Sequence, residues 1–123
     1  QIKNQSGIKV DKYHSDLRER SFGEFEGQSS LNLDWSSLGG DFMTRKPKGA
    51  ESNIEFFNRV TSFMNNLLED HRGQDVLIIA HGGVIRILQF HFGDEDFEII
   101  CSRKPENGGI YEFELTGPLS LIG

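Results

Sequence analysis

The stretch DVLIIAHGGVIRIL, residues 75–88, constrains this chain more than any other. Five consecutive apolar residues, Val76–Ala80, follow an acid. That length, with β-branched Val76, Ile78 and Ile79, predicts a strand buried on both faces. The run stops at His81, Gly82 and Gly83. Helical spacing then resumes through Val84, Ile85, Leu88 and Phe92 and ends at Gly93.

The flanking sequence supplies further elements. GIKVDKY, ending at Tyr13, alternates apolar and charged residues and reads as a short strand. RERSFGEFEG is a loop punctuated by glycines. A short helix is expected around Leu31–Leu38, broken at Gly39 and Gly40. TRKPKGAES is another loop. The clearest helix starts near Glu51 or Ser52 and carries Ile54, Phe57, Val60, Phe63 or Met64, Leu67 and Leu68 on one face. It ends before Gly73, with Arg72 in its last turn. GIYEFEL reads as a last strand through Ile110, Phe113 and Leu115. Strands alternating with helices predict an α/β fold, a three-layer sandwich around a mostly parallel sheet.

The 123 residues fit one domain. A net charge of −6 argues against a general nucleic-acid or anionic-membrane binder, yet leaves room for a few local cations around a phosphate. No apolar run approaches the roughly 20 residues of a membrane helix. Cys101 is the only cysteine, so no internal disulfide forms, and a reducing, cytoplasmic setting fits best.

His81 stands where the predicted strand meets the following helix. Ligands of open α/β sheets bind outside the carboxyl ends of the strands. A helix start adds free N–H groups and a positive dipole end. Glycines at 82 and 83 let an anion approach that backbone closely. An imidazole there can donate to a phosphoryl oxygen. A lone histidine in such a place is ordinarily a strand cap; the apolar run leading into His-Gly-Gly favours the functional reading.

Three ordered motifs carry a family resemblance. DVLIIAHGGVIRIL resembles the second histidine motif of the histidine phosphatase superfamily, the phosphoglycerate mutase-like proteins. LRERSFGEFEGQ resembles that family's L-x-E-x-x-x-G-x-x-E-G segment, and GAESNIEFFNRV its G-E-S…R-V helix start. ENGGIYEFEL is similar to the usual final strand. The resemblance implies a phosphoglycerate mutase-like fold, present here only in part: residues 1–123 as one partial domain, the C-terminal part of a catalytic domain.

The resemblance also implies chemistry. In the family a histidine attacks phosphorus and is phosphorylated, and water then releases phosphate. His81 matches the histidine that binds the transferring phosphoryl group, with Gly82 and Gly83 giving close backbone approach. Glu19 matches the proton donor to the leaving oxygen. Arg20 either contacts substrate or pairs with Glu24 or Glu26. Glu26 and Gly27 read as loop-shaping residues, and Glu51 and Ser52 as a helix start. Arg59 is expected to pair with Glu55, and Arg86 to support the site or sit in solvent. His14, His71 and His91 match no motif position. The basic run Arg45, Lys46 and Lys48 is a solvated loop or holds a second substrate anion.

The family's nucleophile lies in an Arg-His-Gly motif, and this chain contains no Arg-His-Gly. The resemblance therefore implies a phosphatase when complete, with this chain alone inactive. A second chain or copy is expected to cover the apolar edge of Val76–Ala80. The segment from Ser29 to Lys48 is short, which favours hydrolysis of a small phosphorylated metabolite over mutase action. No cofactor or metal is implied. The alternatives are phosphoglycerate mutase activity, or a noncatalytic phosphate-binding or interaction module; metal ligation by His81, Glu19 and another histidine is a weaker third.

Overall fold

The computed structural model describes residues 13–27, 34–103 and 109–122. Helix α1 spans Asn53–Asp70. Ser52 starts it through a capping box: its Oγ accepts from the Glu55 N–H at 3.1 Å, and the Glu55 carboxylate accepts from the Ser52 N–H at 3.0 Å. Lys46 Nζ donates to the same carboxylate at 2.7 Å and, with the Ser52 bonds, holds the Glu55 pKa down to about 2. Phe57, Val60, Phe63 and Met64 form the buried stripe that the helical spacing predicts; Phe56 joins them, while Ile54, Leu67 and Leu68 are only half-buried.

Helix α2, Gly82–Phe92, lays Val84, Ile87 and Leu88 against that stripe. Helix α3, Phe97–Cys101, adds Phe97 and Ile100 to the core. Phe57 is the packing centre. Its ring meets Phe90 at 5.5 Å, His91 at 4.9 Å and Phe97 at 5.6 Å between centroids. Thr61 is fully buried beside them, with its hydroxyl 2.9 Å from His91 Nε2.

The expected three-layer α/β sandwich with a mostly parallel sheet is not what the structure shows: no strand is formed among the described residues. Residues 75–80 make no backbone hydrogen bond to another described residue. Only Ile78 and Ala80 pack on the core, while Val76, Leu77 and Ile79 are 45%, 65% and 55% exposed. The physical reason is plain. An apolar run states that its side chains seek cover, but a strand also needs a second backbone within about 5 Å to pair with. Residues 110–115 behave alike: Phe113 and Leu115 face the core, while Ile110 is 88% exposed, out of the expected register. The strand expected before Tyr13 lies outside the described residues, apart from exposed Tyr13 itself. Of the expected Leu31–Leu38 helix, the described part is a single 3₁₀ turn, Trp35–Leu38. Arg72 falls past the end of α1, whose cap is His71.

Side-chain amides do for the C-terminal segment what a neighbouring strand would otherwise do. Asn65 donates to the Leu119 carbonyl at 3.0 Å and accepts from the Leu119 N–H at 2.7 Å. Asn58 holds Ile122 in the same two-way manner, at 2.6 and 2.8 Å. Two helical turns between the asparagines cover about 10.5 Å. Three extended residues cover about 10 Å. The match lets α1 grip alternate ends of one extended segment.

Asn65→Ala should therefore cost about 1–3 kcal/mol, because it leaves both polar groups of Leu119 unpaired. Urea unfolding at neutral pH measures it, and an unchanged midpoint would contradict the clamp.

Burial lowers the pKa of His91 from its ordinary value. The unfolded imidazole binds its proton more tightly than the folded one, so stability falls as pH drops below about 6.5. The Glu55 contribution acts lower, fading as pH falls from about 4.5 toward its folded value of about 2. Thermal melts from pH 8 to 5 should slope less in His91→Gln, which keeps a partner for Thr61.

Candidate active site

Arg59, one and a half turns into α1, organises the approach to the site. Its Nε and Nη2 donate to the two carboxylate oxygens of Glu51 at 2.9 and 2.7 Å. Its Nη1 donates to the carbonyls of Asp16 and Arg18 at 2.7 and 3.0 Å, and Nη2 also reaches the Glu19 carbonyl at 3.4 Å. The planar five-donor fork suits this task, which a lysine could not perform. Its carbon stands over the Phe56 ring at 5.0 Å. The expected Arg59–Glu55 pair is thus replaced. Glu51 precedes the helix and turns back, while Glu55 is held by Lys46 and the cap. Burial pushes the Glu51 pKa up, but the Arg59 bonds and the Ser21 N–H at 3.1 Å outweigh it and hold it below the ordinary carboxylate range.

With the 16–19 backbone pinned, the Glu19 side chain reaches the start of α2. Its Oε2 accepts from the Gly83 N–H at 3.2 Å, and its Oε1 from the Arg20 N–H at 3.0 Å. Residues 64 apart in sequence thereby meet. The meeting requires glycine at 83. A Cβ there would collide with Glu19 Oε1 and lie 2.9 Å from the Phe56 ring. A carboxylate at a helix start is also favoured by the dipole. His81 is the N-cap of the same helix. Its backbone carbonyl accepts from Val84 and Ile85, while its side chain is exposed and makes no capping bond. The Gly82 N–H makes no hydrogen bond to a described residue.

Arg20 pairs with neither Glu24 nor Glu26. Its Nε donates to the Glu51 carbonyl and its Nη1 to Asn53 Oδ1, both at 2.9 Å. Its guanidinium lies 5.3 Å from the centroids of both Phe22 and Trp35. Burial lowers its pKa, opposed by the nearby Glu51 charge. Glu26 bonds the Phe22 N–H at 2.7 Å and Gly27 sits at φ +75, so both shape the loop.

The remaining candidates lie elsewhere. Arg86 Nε holds the Arg103 carbonyl at 3.0 Å. His14 packs edge-on against Phe63 at 5.0 Å, His71 bonds Gln74 at 2.8 Å, and His91 is taken by Thr61. Arg45 stands over Phe42 at 5.9 Å. Sequence reasoning missed the hub role of Arg59, the Asn53 contact and the Trp35 cover. The Glu51–Arg59 spacing of eight exceeds the helical neighbour rule, so no periodicity revealed it.

The geometry brings the Glu19 carboxylate to the first turn of the helix that His81 caps. The chain belongs to the histidine phosphatase superfamily (branch 1), whose family model matches residues 1–119. It is 30% identical over 115 residues to a Hydrogenobacter thermophilus protein named "Putative phosphoserine phosphatase 2", covering 86% of this chain and 55% of that relative. It is also 30% identical over 80 residues to "Phosphoglycerate mutase-like protein 4" of Arabidopsis thaliana, covering 59% of this chain and 35% of that one. The chain thus spans about half or less of these curated relatives' length. No solved structure matches it.

Gly83→Ala should displace the Glu19 carboxylate and cost about 1–3 kcal/mol through overpacking against Phe56. Urea unfolding gives the cost, and the Glu19 carboxyl carbon shift in a labelled sample reports the displacement. A native shift at native stability would show that the close approach is dispensable.

Proposed function

We propose that this chain contributes the acid and one phosphate-binding imidazole to a phosphomonoester hydrolase acting through a phosphohistidine. The observation that carries the reading is the Glu19 carboxylate seated on the Gly83 N–H, two residues from His81. Family membership supports it. The substrate is a small phosphorylated metabolite.

The His81 imidazole, exposed at the helix start, holds an oxygen of the transferring phosphoryl group. The Gly82 N–H and the positive end of α2 add to it. An imidazole outside the site described attacks phosphorus. The P–N bond forms as the ester P–O bond breaks. Glu19 gives its proton to the departing oxygen, which would otherwise leave as a costly alkoxide. Water then attacks phosphorus and breaks the P–N bond. Its proton passes to Glu19, which restores the acid. Phosphoryl transfer needs mainly positioning and charge stabilisation, and the Arg59–Glu51 knot provides positioning from behind.

Glu19→Gln in the complete protein should lower kcat on an alkyl phosphate by about 10²–10⁴, the ordinary scale of general acid catalysis. Turnover of nitrophenyl phosphate, whose leaving group needs little proton help, should fall less than about tenfold. Equal losses on the two esters would remove the proton-donor role.

A further inference from the structure

Phe56 does more than fill the core. It is buried one turn into α1, and its N–H donates to the Ser52 carbonyl at 3.1 Å. The capping box that starts the helix therefore also fixes where this ring stands. The Arg59 guanidinium lies over the ring, 5.0 Å from its centroid. The far edge of the ring meets the first turn of α2. Its Cε2 and Cζ atoms are 2.9 and 3.0 Å from where a Cβ on Gly83 would stand.

Those two neighbours are the two anchors of Glu19. Arg59 Nη2 donates to the Glu19 carbonyl at 3.4 Å, and the Gly83 N–H donates to Glu19 Oε2 at 3.2 Å. One anchor places the backbone of the residue, the other its carboxylate. The Phe56 ring lies against both. A flat ring of fixed size sets their separation, because a close-packed interior transmits displacements instead of absorbing them. A shift of about 1 Å in a reacting group can cost about a hundredfold in rate.

We propose that Phe56 is a positioning residue: its ring spaces the Arg59 anchor from the Gly83 anchor and so sets where the Glu19 carboxyl meets the leaving oxygen of the ester. It acts through Gly83 and Arg59 and not on the substrate. The proposal rests on the hydrolase reading, which makes Glu19 the proton donor.

Leucine ends at its Cδ atoms, so Phe56→Leu removes the two atoms that abut the glycine and leaves a gap that the surroundings close only in part. Phe56→Met, long and adaptable, refills much of that gap. Phe57→Leu is the core control, since the Phe57 ring faces Phe90, His91 and Phe97. Each variant of the intact protein is assayed with phosphoethanolamine, an alkyl ester, and with nitrophenyl phosphate. The amide proton shift of Gly83 is read in the same samples by NMR.

Phe56→Leu should lower kcat on phosphoethanolamine about tenfold to a hundredfold with KM little changed. Its kcat on nitrophenyl phosphate, whose leaving group needs little proton help, should fall less than about threefold. The Gly83 amide proton should move upfield as its bond to Glu19 lengthens. Phe56→Met should recover most of both signals. Should Phe56→Leu fail to fold, Phe56→Met carries the test, with the same selective loss at smaller size. Phe57→Leu should lower the unfolding midpoint yet leave the ratio of the two rates and the Gly83 shift as they were. Equal losses on the two esters, a native Gly83 shift in both Phe56 variants, or the same selective loss in Phe57→Leu overturns the positioning role. A protein that hydrolyses neither ester overturns the hydrolase reading instead. The Gly83 shift, moved by Phe56→Leu and unmoved by Phe57→Leu, would then still uphold the placement of Glu19 by Phe56.

Discussion

One guanidinium holds the site together. Arg59 satisfies a carboxylate on one side and three backbone carbonyls on the other, all from a rigid helix. The loop from Asp16 to Glu19 has little regular structure of its own, only a 3₁₀ turn at Ser15–Leu17. A loop of that kind holds a side chain in place only if its backbone is fixed by something stiffer. The bidentate Arg59–Glu51 pair is largely shielded from water, where such a pair is screened less than at the surface. The capping box fixes where α1 starts, and hence where Glu51 and Arg59 stand relative to each other.

The second constraint is steric. The carboxylate, the Phe56 ring and the first turn of α2 share a space that has no room for a methyl group at residue 83. The Glu19 carboxylate and the core are thus adjoining layers. Phe56 belongs to the buried stripe of α1 and also backs the glycine that receives Glu19. Packing accuracy in the core becomes positioning accuracy at the acid, since close-packed interiors transmit small displacements.

Much of this was legible in the residues. The period of Phe57, Val60 and Met64 predicts α1, and Glu51 and Ser52 mark where it starts. The His-Gly-Gly step predicts a helix opening at residue 82, and the helix opens there. The α/β sandwich was not borne out. Val76–Ala80 has the composition of a doubly buried strand, but composition does not supply a pairing partner, and the run stays half exposed. The asparagine clamp was invisible for a related reason. Two amides seven residues apart acquire meaning only when an extended segment lies beside them.

Local order follows from neighbours along the chain. Caps, helix periods and glycine turns act over four residues or fewer, so the sequence by itself determined α1, α2 and where each starts. It also determined which residue types stand ready for phosphoryl chemistry. Only the tertiary structure decided that Arg59 turns to Glu51, that Glu19 meets Gly83, and that Arg20 lies beneath Trp35. Those contacts join segments that are distant in sequence. Their partners are selected by where packed helices leave a donor facing an acceptor, and no pattern of spacing encodes that choice.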